Sequence, residues 1–304
     1  MKRLSQEQFE RAVNFIFTNA RPLDRRVLEY HFFNGEKSAV LNELMKYQNK
    51  DGGVGKGIEP DIQSVESSPI ATSVAMQYAR EVQASWQHPF VKKAMKYFTD
   101  TYNYYHNWPL KMPHMNNFPH ADWWHFNEHE SQFEVNPGAE IVGYYHTYPQ
   151  IIPEDLLPTF HDHVFQHLEN RSTPIEFHEA LCYLRLAEEI PDPGKTMIVD
   201  VLREWARDIV TLDPSKWGGY CAKPLWLAPT PNSPLYNVLE DVISLNLDYE
   251  IEHQQEDGSW VPFWEWGQYR DVWENKAKKE WQGALTVKTL YTLKNYERLE
   301  VTST

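Results

Sequence analysis

Apolar residues recur along this chain at intervals of three and four, the spacing that lays one stripe along a helix. Between Ser5 and Thr18 the stripe is Phe9, Val13, Ile16 and Phe17, with Leu4 just ahead. Ser5 stands as the N-cap, and Gln8 three residues on completes the frame of a capping box. The same period predicts helices at 36–48 (Val40, Leu41, Leu44, Met45), 68–83 (Ile70, Val74, Met76, Tyr78), 89–104 (Phe90, Val91, Met95, Phe98) and 137–149. Further ones fall at 153–169, 174–190, 196–211, 234–253 and 281–297, which makes about ten helices. Proline after a cap-like residue marks several starts, as in Ser68-Pro69, Thr173-Pro174 and Ser233-Pro234. No sustained period-two alternation rich in Val, Ile and Thr appears, so the predicted fold class is all-α. No linker or shift of composition divides the chain, and one domain spanning 1–304 is expected.

Charge narrows the partners. Forty-three acidic side chains against 29 Lys and Arg leave a net charge of -14 over 304 residues, a field that repels nucleic acid and anionic bilayers. No stretch approaches the roughly 20 apolar residues of a membrane-spanning helix, and the N-terminal region lacks the apolar core of a secretory signal. The expectation is a cytoplasmic protein with a small-molecule ligand, no nucleic-acid partner, no membrane-spanning segment and no cofactor. Cys182 and Cys221, the two cysteines, are too few for a disulfide framework or a Cys-rich zinc site and read as packing residues. The 12 Trp, 17 Tyr, 14 Phe and 13 His exceed the needs of a core of this size, so some of these rings are expected to line a cavity.

The chain also repeats itself. Gln48-Asn49-Lys50-Asp51-Gly52-Gly53-Val54 and Gln254-Gln255-Glu256-Asp257-Gly258-Ser259-Trp260 share the frame Gln-x-x-Asp-Gly-small-apolar, each directly after a helical stretch. Asp213 to Tyr220 is a degenerate relative. Each copy leads through a loop into a new helix, and hairpins that cannot bury their apolar faces alone close naturally into a ring of inner and outer helices. The predicted architecture is an α/α toroid of about five or six helical hairpins.

The segment 254–260, followed by Gly283-Ala284-Leu285-Thr286, resembles the repeat of terpenoid cyclases and protein prenyltransferase β subunits; Gln48 to Val54 with Ala71-Thr72 is similar. The resemblance implies that the Gln side chain and the Asp-Gly turn tie a helix end to its neighbour while the aromatic packs beneath. The catalytic signatures of those families are missing. There is no Asp-x-Asp-Asp run and no Asp-Asp-x-x-Asp magnesium site, and neither cysteine stands in the zinc context of the prenyltransferases. Fold alone does not determine activity.

Three loops carry the candidate chemistry. Gly52 to Asp61 has four glycines without the ending of a P-loop; its Glu59 and Asp61, brought together, can divide into an acid and a base. The segment 103–136 is longer than a plain connection and holds His120-Ala121-Asp122-Trp123-Trp124-His125. Here a proton-transfer group, a carboxylate to orient it and flat rings for a substrate stand side by side. The histidines at 106, 114, 120, 125 and 129 match no metal-ligand spacing, and no metal is expected. In the third loop Trp264, Glu265, Trp266 and Asp271 are expected to complete a cavity wall. Glu140, in the first turn of its helix, fits the N-terminal dipole.

Three functional readings follow. In the first, His120, Asp122, Glu59 and Asp61 are the catalytic groups of a terpenoid-cyclase-like enzyme performing acid-base chemistry on an apolar or isoprenoid-type molecule held by Trp123, Trp124, His125, Trp264, Glu265, Trp266 and Asp271. In the second, the same rings and carboxylates serve a glycosidase- or epimerase-like protein. In the third, the chain is a non-catalytic binding scaffold. The residues leave all three open.

Overall fold

The computed structural model describes residues 1–127, 134–152, 155–169 and 173–300. Helices follow one another: α1 (Gln6–Asn19), α2 (Pro22–Phe32), α3 (Lys37–Tyr47), α4 (Pro69–Glu81), α5 (Pro89–Tyr105), α6 (Val135–Thr147), α7 (Leu157–Glu169) and α8 (Phe177–Glu189). After them come α9 (Gly194–Ile209), α10 (Pro224–Leu227), α11 (Tyr236–Glu252), α12 (Arg270–Val272) and α13 (Lys278–Asn295). A π turn, Trp273–Ala277, joins the last two. Among the described residues extended backbone pairs only in isolated bridges, and no helix is long and apolar enough to cross a membrane. The fold is all-α.

Two compact units are distinguished. A middle unit holds Lys37–Leu202 with Trp266–Tyr269; a terminal unit holds Met1–Glu36, Arg203–Glu265 and Arg270–Thr304. In the middle unit α4 starts as its sequence dictates: the Ser68 hydroxyl accepts the Ala71 amide at 3.2 Å and Pro69 supplies a preset φ at N1. Small side chains, Ala71, Ser73, Ala75 and Ala79, are buried along it and allow α3, α5 and α6 to pack around it. Helix α6 is buried almost throughout and also packs against α7 and α8. On α5 the buried stripe is Phe90, Val91, Ala94, Met95, Phe98 and Tyr102, each large apolar member contributing roughly 1.5–3 kcal/mol by leaving water.

In the terminal unit the capping box of α1 forms as its sequence predicts, with the Gln8 amide 3.2 Å from Ser5 Oγ and the Ser5 amide 3.0 Å from Gln8 Oε1. The buried face is Phe9, Ala12, Phe15 and Ile16, so Phe15 rather than Phe17 belongs to it; Phe17 is exposed. Helices α1 and α2 pack on α13, and α10 on α11.

The two copies of the repeat are built alike, each within its own unit. Gln48 Nε2 donates to the carbonyls of Gly52 (2.9 Å) and Phe90 (3.0 Å) in the middle unit. Gln254 Nε2 donates to those of Gly258 (3.0 Å) and Gln8 (2.9 Å) in the terminal unit. Asp51 and Asp257 accept the amides of Gly53 and Ser259, and the hydroxyls of Thr72 and Thr286 accept those of Val54 and Trp260. The glycines are obligatory: φ is 93° at Gly52 and 92° at Gly258, and a Cβ there would lie 2.4 Å from Lys93 O and 2.3 Å from the Arg11 carbonyl carbon.

Candidate functional site

In the middle unit three segments far apart in sequence are stitched together. The loop after α3 is held by Lys56, whose ammonium donates to the carbonyls of Lys46 and Gln48 at the end of that helix. Beyond it Ile62 pairs with His120: the Gln63 amide donates to Pro119 O at 2.9 Å and the Ala121 amide to Asp61 O at 3.0 Å. The third segment, 266–269, joins through the Asp122 amide to Trp266 O (3.0 Å), the Trp266 indole to Asp61 Oδ1 (2.6 Å) and Gln268 Nε2 to His120 O (3.0 Å). Asp61 is 5% exposed, His120 1%, and the Trp266 ring is fully buried.

The structure thus brings Glu59, Asp61, His120, Asp122 and Trp266 into one neighbourhood, but much of their hydrogen-bonding capacity serves to hold it together. Glu59 Oε1 accepts the Asp61 amide at 3.3 Å. Asp122 is exposed. His120 Nδ1 lies 2.6 Å from the Phe118 carbonyl, which can only accept, so that nitrogen carries the proton and Nε2 presents a lone pair; Nε2 is buried with no hydrogen-bond partner. The rings of His125 and Tyr269 flank His120, each at 5.7 Å. Trp123 is exposed, and Trp124 packs on Ile62, Ile70, Met112 and Met115. His129 lies outside the described residues, as do 128 and 130–133 of the segment 103–136; the described part carries short 3₁₀ turns at Pro113–Asn117 and Asp122–Trp124.

Glu140 is placed by packing rather than by a helix terminus. Its buried carboxylate accepts from Tyr144 (2.5 Å), Arg185 (2.8 Å) and Gln77 (3.1 Å), tying α4, α6 and α8 together. Burial first and the Glu140 charge second push the Cys182 thiol well above its ordinary value, which keeps it an inert packing group.

The terminal unit holds a cavity of about 280 Å³ that no motif announces. Trp217, Trp226, Tyr249, Trp260 and Phe263 wall it, with Leu225, Leu285 and Leu293. Inside, the Lys223 ammonium lies 2.9 Å from Glu250 Oε1 and above the rings of Tyr249 (4.8 Å) and Phe263 (5.2 Å). The two charged side chains are 8% and 13% exposed, so each is compensated by the other more than by water. Asn246 fixes the pair in place: Nδ2 donates to Glu250 Oε1 at 3.2 Å, and Oδ1 accepts the Leu225 amide at 3.0 Å. The Trp260 indole, the aromatic of the second repeat, donates to Glu250 O at 2.8 Å. Burial, and after it the Glu250 charge, raises the Tyr249 phenol, which therefore stays a protonated donor at neutral pH.

Of the third-loop residues, Trp264 meets Phe263 and Trp281 edge-on at 5.0 and 5.1 Å, whereas Glu265 and Asp271 are exposed. Lys223, the adjacent Tyr249 and Glu250 of α11, and Lys288 of α13 escape a reading of the sequence because they come from three separate parts of the chain and form no motif; the available signal was the pair of repeat aromatics, Trp217 and Trp260. Among the described residues no group of three or more His, Cys, Asp or Glu is disposed to hold a metal ion. No protein-family model, curated protein or solved structure matches the chain.

Proposed function

We propose that this protein is an enzyme of the terpenoid-cyclase-like α/α toroid type that seats a small apolar-bodied molecule in the aromatic cavity of the terminal unit and moves a proton there with Glu250 and Lys223. The observation that carries this reading is the ion pair itself: a carboxylate able to accept a proton and an ammonium able to give one, 2.9 Å apart inside an aromatic-walled cavity. The matching construction of the two repeats supports the toroid. Asp61 and Glu59 support the reading as framework, since they hold loop backbone and indole. His120, with its open Nε2, is the one group of that cluster kept as a second proton-handling candidate.

The carbohydrate-active alternative is less favoured. A sugar needs bare aromatic faces, and here ammonium groups already sit over Tyr249, Phe263 and Trp226. The test is titration of tryptophan fluorescence with short isoprenoid alcohols and with mono- and oligosaccharides, followed by turnover assays on Glu250→Gln. Quenching by the alcohols alone, and lost turnover with binding retained in the variant, is the expected result. Saturable binding of sugars alone would reverse the assignment.

A further inference from the structure

Resting on the cavity of the terminal unit as the ligand site, we propose that its substrate is an enolisable carbonyl compound on a compact apolar body, its carbonyl oxygen held by the Tyr249 hydroxyl and its α-proton taken by Glu250. Two neighbouring residues of α11 carry this. Glu250 Oε1 is occupied by Lys223 at 2.9 Å and Asn246 at 3.2 Å, whereas Oε2 accepts no hydrogen bond among the described residues. The Tyr249 ring is occupied too, with the Lys223 ammonium above it at 4.8 Å and the His253 ring stacked on it at 3.7 Å, but its hydroxyl has no hydrogen-bond partner among the described residues. Both residues line the cavity, and so does Gly218. A Cβ on Gly218 would lie 3.8 Å from the Tyr249 hydroxyl, with no other atom beyond its chain neighbours within 4 Å. The bare glycine leaves the phenol open on the cavity side.

An open donor beside an open acceptor selects the chemistry. Burial first and the Glu250 charge second keep the phenol protonated, so it offers a hydrogen bond to an oxygen, and the influence of that charge puts the two groups in one neighbourhood. A ketone engages both. Glu250 Oε2 takes a proton from the carbon next to the carbonyl, the C–H electron pair becomes the enolate double bond, and the carbonyl π pair moves onto oxygen, where the Tyr249 O–H stabilises the developing charge. The Glu250–Lys223 pair then returns a proton to carbon, so no oxidant, reductant or co-reactant is consumed. A volume of about 280 Å³, at the lower edge of the roughly 300–1,000 Å³ of small-molecule sites, takes one ring or two fused rings. Because the Lys223 ammonium already covers the Tyr249 and Phe263 faces, the apolar body rests against Leu225 and Leu285.

The experiment presents the full chain, in heavy water at neutral pH, with indan-2-one and with indane, the same body without the oxygen. Binding is read by tryptophan quenching, and exchange of the ketone's α-protons by proton NMR against the rate in buffer alone. The wild type is expected to bind both probes and to accelerate exchange. Glu250→Gln lowers the exchange rate about a hundredfold or more while the ketone still binds. Tyr249→Phe, which keeps the ring and its contacts, lowers the rate about a hundredfold and weakens the ketone about fivefold without changing indane. Should Glu250→Gln fail to fold, wild-type exchange and Tyr249→Phe decide alone. Binding of both probes with no exchange above buffer overturns the enolisation assignment but leaves the cavity reading standing; so does exchange that survives Tyr249→Phe. Absence of binding by either probe, in a chain whose circular dichroism is native, overturns the cavity reading and the carbonyl assignment with it.

Discussion

The indole of Trp266 donates to the carboxylate of Asp61 at 2.6 Å although 205 positions separate the two in sequence. Both side chains are buried, so the bond holds the 266–269 segment against the loop after α3 within the middle unit. Trp266→Phe keeps much of the apolar volume and removes the donor. A hydrogen bond to a charged group is worth about 1.5–3 kcal/mol, and that is the expected loss in urea unfolding. Asp61→Asn, which preserves an acceptor, is expected to lose less; equal losses would mean that ring packing rather than the bond matters.

The repeat glutamines give a second prediction. Each carboxamide nitrogen donates to two carbonyls, so Gln48→Ala and Gln254→Ala each remove two bonds and are expected to cost about 1–3 kcal/mol. Gly52→Ala and Gly258→Ala should cost more, about 2–5 kcal/mol, because a left-handed φ and a backbone clash act together. Thermal or urea unfolding of the four variants checks the order. An alanine at Gly52 as benign as one at Gln48 would contradict the close approach to Lys93.

What could be read from the sequence was local. The helix of residues 6–19 and its capping box were visible because Ser5, Gln8 and the apolar stripe are close neighbours in the chain. Helix α2 was not, since its buried face contains Asp24, whose carboxylate is matched by Arg21 at 2.9 Å and so breaks the apolar pattern without breaking the helix. The four-residue α10 is too short to show a period. The approach of Asp61, His120 and Trp266 followed from suspecting three unusual loops, yet their hydrogen bonds to one another's backbones carry no sequence signature. The cavity needed Lys223, Tyr249, Glu250 and Lys288 to be seen together, and only tertiary packing assembles them.

The Lys223–Glu250 pair predicts a non-additive pair of substitutions. Removing one partner of a buried ion pair typically costs about 3–5 kcal/mol, because the other is left uncompensated, whereas replacing both by apolar groups is often close to neutral. Lys223→Met alone is therefore expected to be strongly destabilising, and Lys223→Met with Glu250→Leu markedly less so. Urea midpoints for the two single variants and the double variant complete the cycle. Additive losses would mean that the two charges do not depend on each other.

His146 on α6 and His161 on α7 supply a pH dependence. Their Nε2 atoms are 2.8 Å apart, their planes lie within 8° and their centroids are separated by 5.0 Å. That combination requires the rings to lie nose to nose with one proton between them, so a second proton breaks the bond. Burial first, and the neighbouring His161 second, lower the His146 value from 6.5 to about 4; burial lowers His161 as well, against the opposing Asp162. In the unfolded chain these imidazoles take up protons near 6.5, whereas in the folded protein His146 resists until about 4 and His161 until below its ordinary value. The unfolded state therefore binds more protons across that window, and stability rises with pH through it. The contribution is complete above the unfolded value and disappears as the pH falls toward the folded one. Urea midpoints measured across this range should fall more steeply for the wild type than for His146→Gln. His88 and His114, also lowered by burial, titrate in both proteins, so the difference isolates the pair. Parallel profiles for the two proteins would show that no proton is shared.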